Sequence, residues 1–205
     1  MRIIKNIIFD IGRVLVEYEP LDYLKKLYSA EKAEGLMELV YASREWQIAD
    51  QGLMDFSALR GVFSQRRPEW ADDVRYLISR ESMLKIFTPK QETIDLLHEL
   101  KAAGYKIFLL SNFSEQGFAW IDEIYPFLRG VDGRVISYHA KMNKPDPGIY
   151  KLLLSRYKLE PAESVFIDDA SANIRAAAEL GIHAVQFIDI QSCRRALQEI
   201  IQSFK

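Results

Sequence analysis

The stretch Val165-Phe166-Ile167-Asp168-Asp169-Ala170-Ser171-Ala172-Asn173 passes from three apolar residues to two carboxylates, then into an alanine-rich segment that reaches Leu180 and stops at Gly181. A short run of branched and aromatic residues fits a parallel strand covered on both faces, and the alanines fit a helix ended by glycine. The pattern recurs along the chain. Ile7-Ile8-Phe9 runs into Asp10, Ile107-Phe108-Leu109-Leu110 runs into Ser111-Asn112, and Ala184-Val185-Gln186-Phe187-Ile188 forms a last apolar run. Between Thr88 and Gly104, the residues Leu96, Leu97, Leu100 and Ala103 share one helical face. Thr88 and Gln91 stand at capping-box spacing, which places Pro89 at the predicted first helical position. Ser192 to Phe204, with Ala196, Leu197, Ile200 and Ile201, reads as a closing helix. Strands alternating with helices predict an α/β fold around an open parallel sheet.

The region from Glu17 to Phe87 breaks this rhythm. It is helical in composition, with Leu24, Leu36, Leu39, Trp46, Phe56, Phe63 and Leu77 among its apolar positions, and has no buried-strand run. Roughly seventy residues is far more than an ordinary connection between a strand and the next unit. A helical insertion, residues 17–87, is therefore expected between two parts of one core, residues 1–16 and 88–205. It should lie over the carboxyl ends of the strands, where open α/β sheets bind ligands.

Composition bounds the function. The chain has 205 residues, with 27 Lys and Arg against 29 Asp and Glu. That near balance argues against a general nucleic-acid or membrane-surface binder. No apolar run approaches the ~18 residues of a membrane span, and the N-terminus lacks the apolar stretch and cleavage site of a signal peptide. A single cysteine, Cys193, and three histidines leave no internal disulfide and little for a zinc site. The expectation is a soluble cytoplasmic protein whose metal site, if it has one, is built of carboxylates.

The residues that end the apolar runs carry the chemistry. Asp10, Ser111-Asn112 and Asp168-Asp169 converge on one edge of the sheet, and Lys144 precedes a helix start at Pro145-Asp146-Pro147. Any one of these is an ordinary cap or turn residue. Together they form a set. A carboxylate can attack phosphorus and form an aspartyl-phosphate. Asp10, Asp168 and Asp169 supply hard oxygen ligands suited to Mg²⁺. The Ser111 hydroxyl can donate to phosphoryl oxygens, and Lys144 can balance the charge that develops on them.

At these motifs the sequence resembles the haloacid dehalogenase-like hydrolases, most of which are phosphatases. The resemblance is carried by Phe9-Asp10-Ile11-Gly12-Arg13-Val14-Leu15, Leu109-Leu110-Ser111-Asn112, Lys144-Pro145-Asp146-Pro147-Gly148-Ile149-Tyr150 and Phe166-Ile167-Asp168-Asp169-Ala170-Ser171-Ala172-Asn173, and it runs from about Ile4 to Ile188. It implies a Rossmann-like parallel sheet core with an inserted helical cap, in which Asp50-Gln51-Gly52-Leu53-Met54-Asp55-Phe56 looks like a turn common in such caps. It further implies that Asp10 is the nucleophile and that Ser111 and Asn112 contact phosphate. Lys144 would balance the phosphate charge, and Asp10, Gly12 (through its carbonyl), Asp168 and Asp169 would hold magnesium. The substrate would be a small phosphomonoester.

The sequence departs from the family pattern at Gly12, where the family's usual first motif has a second Asp. That Asp protonates the leaving group and then activates water, and glycine can do neither. The same gap occurs in the branch that includes α-D-glucose-1-phosphate phosphatases, which this chain resembles. An anomeric oxygen is a weakly basic leaving group, so a sugar 1-phosphate is the expected substrate. Two alternatives stand beside this one. The first is a metal-independent 2-haloacid dehalogenase, which does not need the paired acids. The second is a non-catalytic protein that binds a phospho-ligand or a partner.

Other residues have weaker claims. Arg44 and Trp46 could meet a sugar, but read better as a solvated cation and a buried aromatic. Arg13 could face substrate or cap. His139, five residues before Lys144, is a candidate acid–base group that also reads as a plain loop histidine. Asn173 could orient the site or simply start a helix. Cys193 is expected to be inert.

Overall fold

The computed structural model describes residues 3–203; Phe204, assigned above to the last helix, lies outside them. Five strands, β1 (Asn6–Phe9), β2 (Lys106–Ser111), β3 (Gly133–Ile136), β4 (Ser164–Asp168) and β5 (His183–Gln186), form one sheet in the order β3-β2-β1-β4-β5. All four pairings are parallel, with Ile8 of β1 opposite Phe108 of β2 on one side and Phe166 of β4 on the other. The chain winds from β1 outward to β2 and β3, then crosses back to β4 and winds the other way. The crevice where winding reverses therefore opens at the carboxyl ends of β1 and β4, the place where such sheets take ligands.

Alternation along the strands sorts the core into two layers. Ile7, Phe9, Ile107, Leu109, Val165 and Ile167 face one layer, while Ile8, Phe108, Leu110 and Phe166 face the other. The second layer is closed by Ile149, Tyr150 and Leu153 of α10 (Pro147–Tyr157) and Ala176 and Ala177 of α11 (Ser171–Glu179). The first layer is continuous with the helices that follow β1. These are α1 (Pro20–Leu27), α2 (Ala30–Leu36), α3 (Arg44–Asp50), α4 (Phe56–Arg66), α5 (Ala71–Leu77), α6 (Arg80–Ile86) and α7 (Gln91–Ala102). Helices α8 (Glu115–Ile124), α9 (Ser137–Ala140) and α12 (Ile190–Gln202) complete the chain. Among the described residues no helix is long and apolar enough to cross a membrane.

The sequence predicts four strands and the fold has a fifth. Strand β3 contributes only Val135 and Ile136 to the interior and lies at the sheet edge, so it carries no apolar run. The capping box expected at Thr88 and Gln91 does not form; α7 starts two residues beyond Pro89, with Lys90 as a cap residue whose side chain makes no capping bond. Here the backbone has other work. The Glu17 N–H donates to the Thr88 carbonyl at 2.7 Å, and the Lys90 N–H donates to the Leu15 carbonyl at 2.9 Å. These bonds tie together the two chain crossings between which α1 to α6 hang.

Candidate active site

Each candidate side chain stands where a regular element ends. Asp10 follows β1, Ser111 ends β2, Asp168 ends β4, and Lys144 precedes α10, whose start is fixed by Pro147 and by the Asp146 carboxylate accepting from the Gly148 N–H at 2.7 Å. The fold brings these four together. Lys144 Nζ lies 2.8 Å from Asp10 Oδ1 and 2.6 Å from Asp168 Oδ2, and the lysine side chain is only 1% exposed. A buried ammonium with two carboxylates within ion-pair distance is a locked element rather than a surface charge.

Asp10 is oriented tightly. Its Oδ1 accepts from the Ile11 N–H at 2.7 Å and from the Ser111 hydroxyl at 2.6 Å, besides Lys144. None of these bonds falls on Oδ2, which leaves that oxygen to attack or to ligate. Burial, reinforced by Asp168, outweighs Lys144 and Ser111 and pushes the Asp10 carboxyl up to about 6. Burial alone would weaken the charge on Lys144, but Asp10 and Asp168 hold the ammonium above its ordinary value.

The two acids after β4 are not equivalent. Asp168 is fully buried; it accepts from the Ala170 N–H at 2.8 Å, from Asn173 Nδ2 at 3.0 Å on both oxygens, and from Lys144. Asn173 thus has the orienting contact suggested for it, although onto Asp168. Asp169 remains partly exposed, with Arg13 Nη1 3.6 Å from Oδ2. Burial raises its pKa, with Asp168 adding to the shift and Arg13 and Lys144 opposing it. Arg13 itself sits at φ 59, the left-handed region a non-glycine residue rarely adopts, and its Nε donates to Glu19 Oε1 at 3.0 Å.

Asp10, Asp168 and Asp169 each offer an oxygen within 4.8 Å of the others. Three carboxylates against two cations, Lys144 and Arg13, leave a net negative cluster of hard oxygen donors, and these residues fit a hard divalent cation. The side-chain amide of Asn112 grips the backbone of Lys144. Its Nδ2 donates to the Lys144 carbonyl at 3.0 Å and its Oδ1 accepts from the Lys144 N–H at 2.8 Å, so the amide fixes the backbone that carries the lysine.

A cavity of about 60 Å³ lies between Gly12, Asn112 and Ser114, which neighbour Asp10 and Ser111 in the chain, and Trp46, Asp50 and Phe87 of the helical segment. Tyr18 stacks on Phe87 at 4.9 Å between ring centres and adds to the aromatic wall. Trp46 is therefore both buried and at the cavity, whereas Arg44 is exposed and lines an outer groove with Arg66 and Arg67. His139 is exposed on α9 against the Tyr138 ring, away from this lining. Asp50 was legible only as part of a turn; nothing in its spacing marks it as a residue of the cavity.

A sequence model described as haloacid dehalogenase-like hydrolase matches residues 4–181. The chain is 25% identical to the D-ribitol-5-phosphate phosphatase of Bacteroides thetaiotaomicron, covering 98% of this chain and 100% of that protein. It is 26% identical to the sesquiterpene phosphatase astK of Aspergillus oryzae, covering 96% of each. It is also 29% identical, over 61% of its length, to mouse acyl-CoA dehydrogenase family member 10, of which it spans only 11%. Among solved structures, a HAD family enzyme from Bacteroides thetaiotaomicron in complex with magnesium and inorganic phosphate shares the fold. It superposes with a TM-score of 0.69 at 24% identity, over 89% of this chain and 93% of that one.

Proposed function

The chain belongs to the haloacid dehalogenase-like hydrolases, and from that membership we propose that it is a magnesium-dependent phosphatase acting on a small phosphomonoester through an aspartyl-phosphate on Asp10. The observation that carries the reading is the buried ammonium of Lys144 between Asp10 and Asp168, beside a third carboxylate. The full-length likeness to two phosphatases supports the reaction class.

In this reading Asp10 attacks phosphorus with the oxygen that Ser111 and Lys144 leave unbound. The Ser111 hydroxyl, which donates to Asp10 in the free protein, turns to a phosphoryl oxygen as substrate binds, the main-chain N–H of Asn112 holds another, and Lys144 stabilises the charge that develops on them. Asp10, Asp169 and the Gly12 carbonyl would hold magnesium, with Asp168 behind them, and the ion would supply positive charge to the phosphoryl group and the attacking carboxylate. Asp168, fully bonded by Lys144, Asn173 and Ala170, fixes the lysine and the loop of Asp169. Residues 17–87 act as a cap whose closure excludes water while Trp46, Tyr18 and Phe87 frame the leaving group. A sugar 1-phosphate suits a first motif with glycine at position 12, because an anomeric oxygen departs with less need of a proton than an alkoxide does.

Phosphate release from sugar 1-phosphates, sugar phosphates on primary hydroxyls and aryl phosphates, measured with Mg²⁺ and with EDTA, tests the reading. Release that EDTA and Asp10→Asn both abolish supports it. Release that survives either treatment, or chloride release from a 2-haloacid without phosphate release, contradicts it.

A further inference from the structure

Gly12 leaves the reaction without the family's usual acid and base, and the structure keeps the room for one. A Cβ built on Gly12 would meet no atom within 4 Å, so the space a side chain would take is open. Across the same cavity stands Asp50, whose carboxyl is the one acid among the cavity's lining residues.

Asp50 is also held in place from the sheet side. It is the last residue of α3, and its carbonyl accepts from the Ser137 hydroxyl, whose oxygen accepts from the Phe113 N–H at 2.9 Å. Two further grips fix the turn. Asn143 Nδ2 donates to the Gln47 carbonyl at 2.8 Å, and Lys141 Nζ donates to the Gly52 carbonyl at 2.6 Å. Gly52, at φ 67, lies so close to Tyr138 that a Cβ would come within 2.5 Å of its carbonyl oxygen. The side chains that grip the turn come from residues 137–143, the segment leading directly to Lys144. A carboxyl on this turn is thereby positioned relative to the phosphoryl site.

We propose that Asp50 is the acid and base that Gly12 cannot be. This rests on the phosphatase reading above. In the first step the Asp50 carboxyl gives its proton to the leaving-group oxygen as the P–O bond breaks and Asp10 bonds to phosphorus. In the second, the Asp50 carboxylate takes a proton from the water that attacks the aspartyl-phosphate, and inorganic phosphate leaves as Asp10 is freed. The environment agrees with that role. Among the described residues Asp50 has no ion-pair partner, and burial pushes its carboxyl up to about 7, only partly offset by the Ser114 N–H. A group poised near neutrality suits proton transfer in both directions.

The test compares wild type, Asp50→Asn and the double variant Asp50→Asn/Gly12→Asp, with Mg²⁺, on a primary alkyl phosphate and on 4-nitrophenyl phosphate. Asp50→Asn is expected to lose ~10²–10⁴-fold in kcat/KM on the alkyl phosphate. On the aryl phosphate, whose leaving group needs no proton, kcat/KM should stay within a few-fold while a nitrophenolate burst appears. The burst reports that phosphorylation outruns water attack. Gly12→Asp in the same chain should restore alkyl turnover. Thermal unfolding at pH 8 should show Asp50→Asn no less stable than wild type, since it loses an unpaired half-buried carboxylate. Equal losses on both substrates, or full alkyl turnover by Asp50→Asn, overturn the assignment of Asp50 alone. Absence of phosphate release by the wild type overturns the phosphatase reading beneath it.

Discussion

Replacing Lys144 with methionine keeps most of the side-chain volume and removes the charge that two carboxylates share. In the folded protein Lys144 Nζ sits 2.8 Å from Asp10 and 2.6 Å from Asp168, and all three side chains are at least nine-tenths buried. Breaking a buried pair by deleting one partner costs about 3–5 kcal/mol, because the remaining charge is left desolvated and unpaired. Each kcal/mol moves the midpoint of a domain this size by about 2–4 °C, so Lys144→Met should unfold ~6–20 °C below wild type at pH 8. The defect has a sign in pH. Without the ammonium, burial and the repulsion of Asp168 raise the native pKa of Asp10 further, so the folded state binds more protons than the unfolded state above pH ~4. Stability is then lost as pH rises through the raised native value, and lowering the pH to 5.5 should narrow the gap to wild type. Adding Mg²⁺ at pH 8 should narrow it as well, because a divalent cation at Asp10 and Asp169 relieves the same repulsion. Circular dichroism melts at the two pH values, with and without Mg²⁺, read these effects. A midpoint within ~2 °C of wild type at pH 8, or a gap that widens on acidification, would refute the reasoning.

Ser137→Ala removes the hydroxyl that joins the Asp50 carbonyl to the Phe113 N–H; it should cost ~1–3 kcal/mol in denaturant melts, because it leaves that buried N–H unpaired. The same change should lower kcat more than KM if the turn must be fixed for chemistry. Gly133→Ala should destabilise by ~1–3 kcal/mol, because a Cβ there falls 2.3 Å from the Tyr157 ring, whose hydroxyl also bonds both backbone groups of Arg134. Cys193 is fully buried and burial pushes its thiol up to about 11, so the native protein should not react with Ellman's reagent at pH 8, whereas the unfolded chain should react at once.

What the sequence revealed followed the rule that local pattern survives folding where a residue's role is set by its own element. Strands β1, β2 and β4 were legible because each buries a run of apolar residues on both faces, and β5, an edge strand that buries only Val185, was legible from the apolar run 184–188 in which it lies. Strand β3 was not, since an edge strand with two inward residues resembles a loop. Asp10, Ser111, Lys144, Asp168 and Asp169 were legible because strand ends and a proline-started helix mark them. The distances among them follow from parallel register, which aligns the carboxyl ends of β1, β2 and β4. The grip of Asn112 on Lys144, and the reach of Asn173 from the first turn of α11 to Asp168, depend on how the chain turns after β2 and β4, which spacing does not encode. Asp50 was the least legible, because its approach to Gly12 arises only when the helical segment docks on the sheet through Ser137, Lys141 and Asn143. The misplaced capping box at Thr88 has the same origin: pairing between the two chain crossings overrides a local signal.

In the proposed reaction the phosphoryl group passes through a covalent bond to Asp10. Mixing wild-type protein with substrate and Mg²⁺, quenching in acid within the turnover time and mapping peptides by mass spectrometry tests it directly. A phosphoryl adduct is expected on the peptide carrying Asp10, labile to hydroxylamine and absent in Asp10→Asn. Phosphate release by Asp10→Asn at the wild-type rate, or an adduct on another residue, would contradict it.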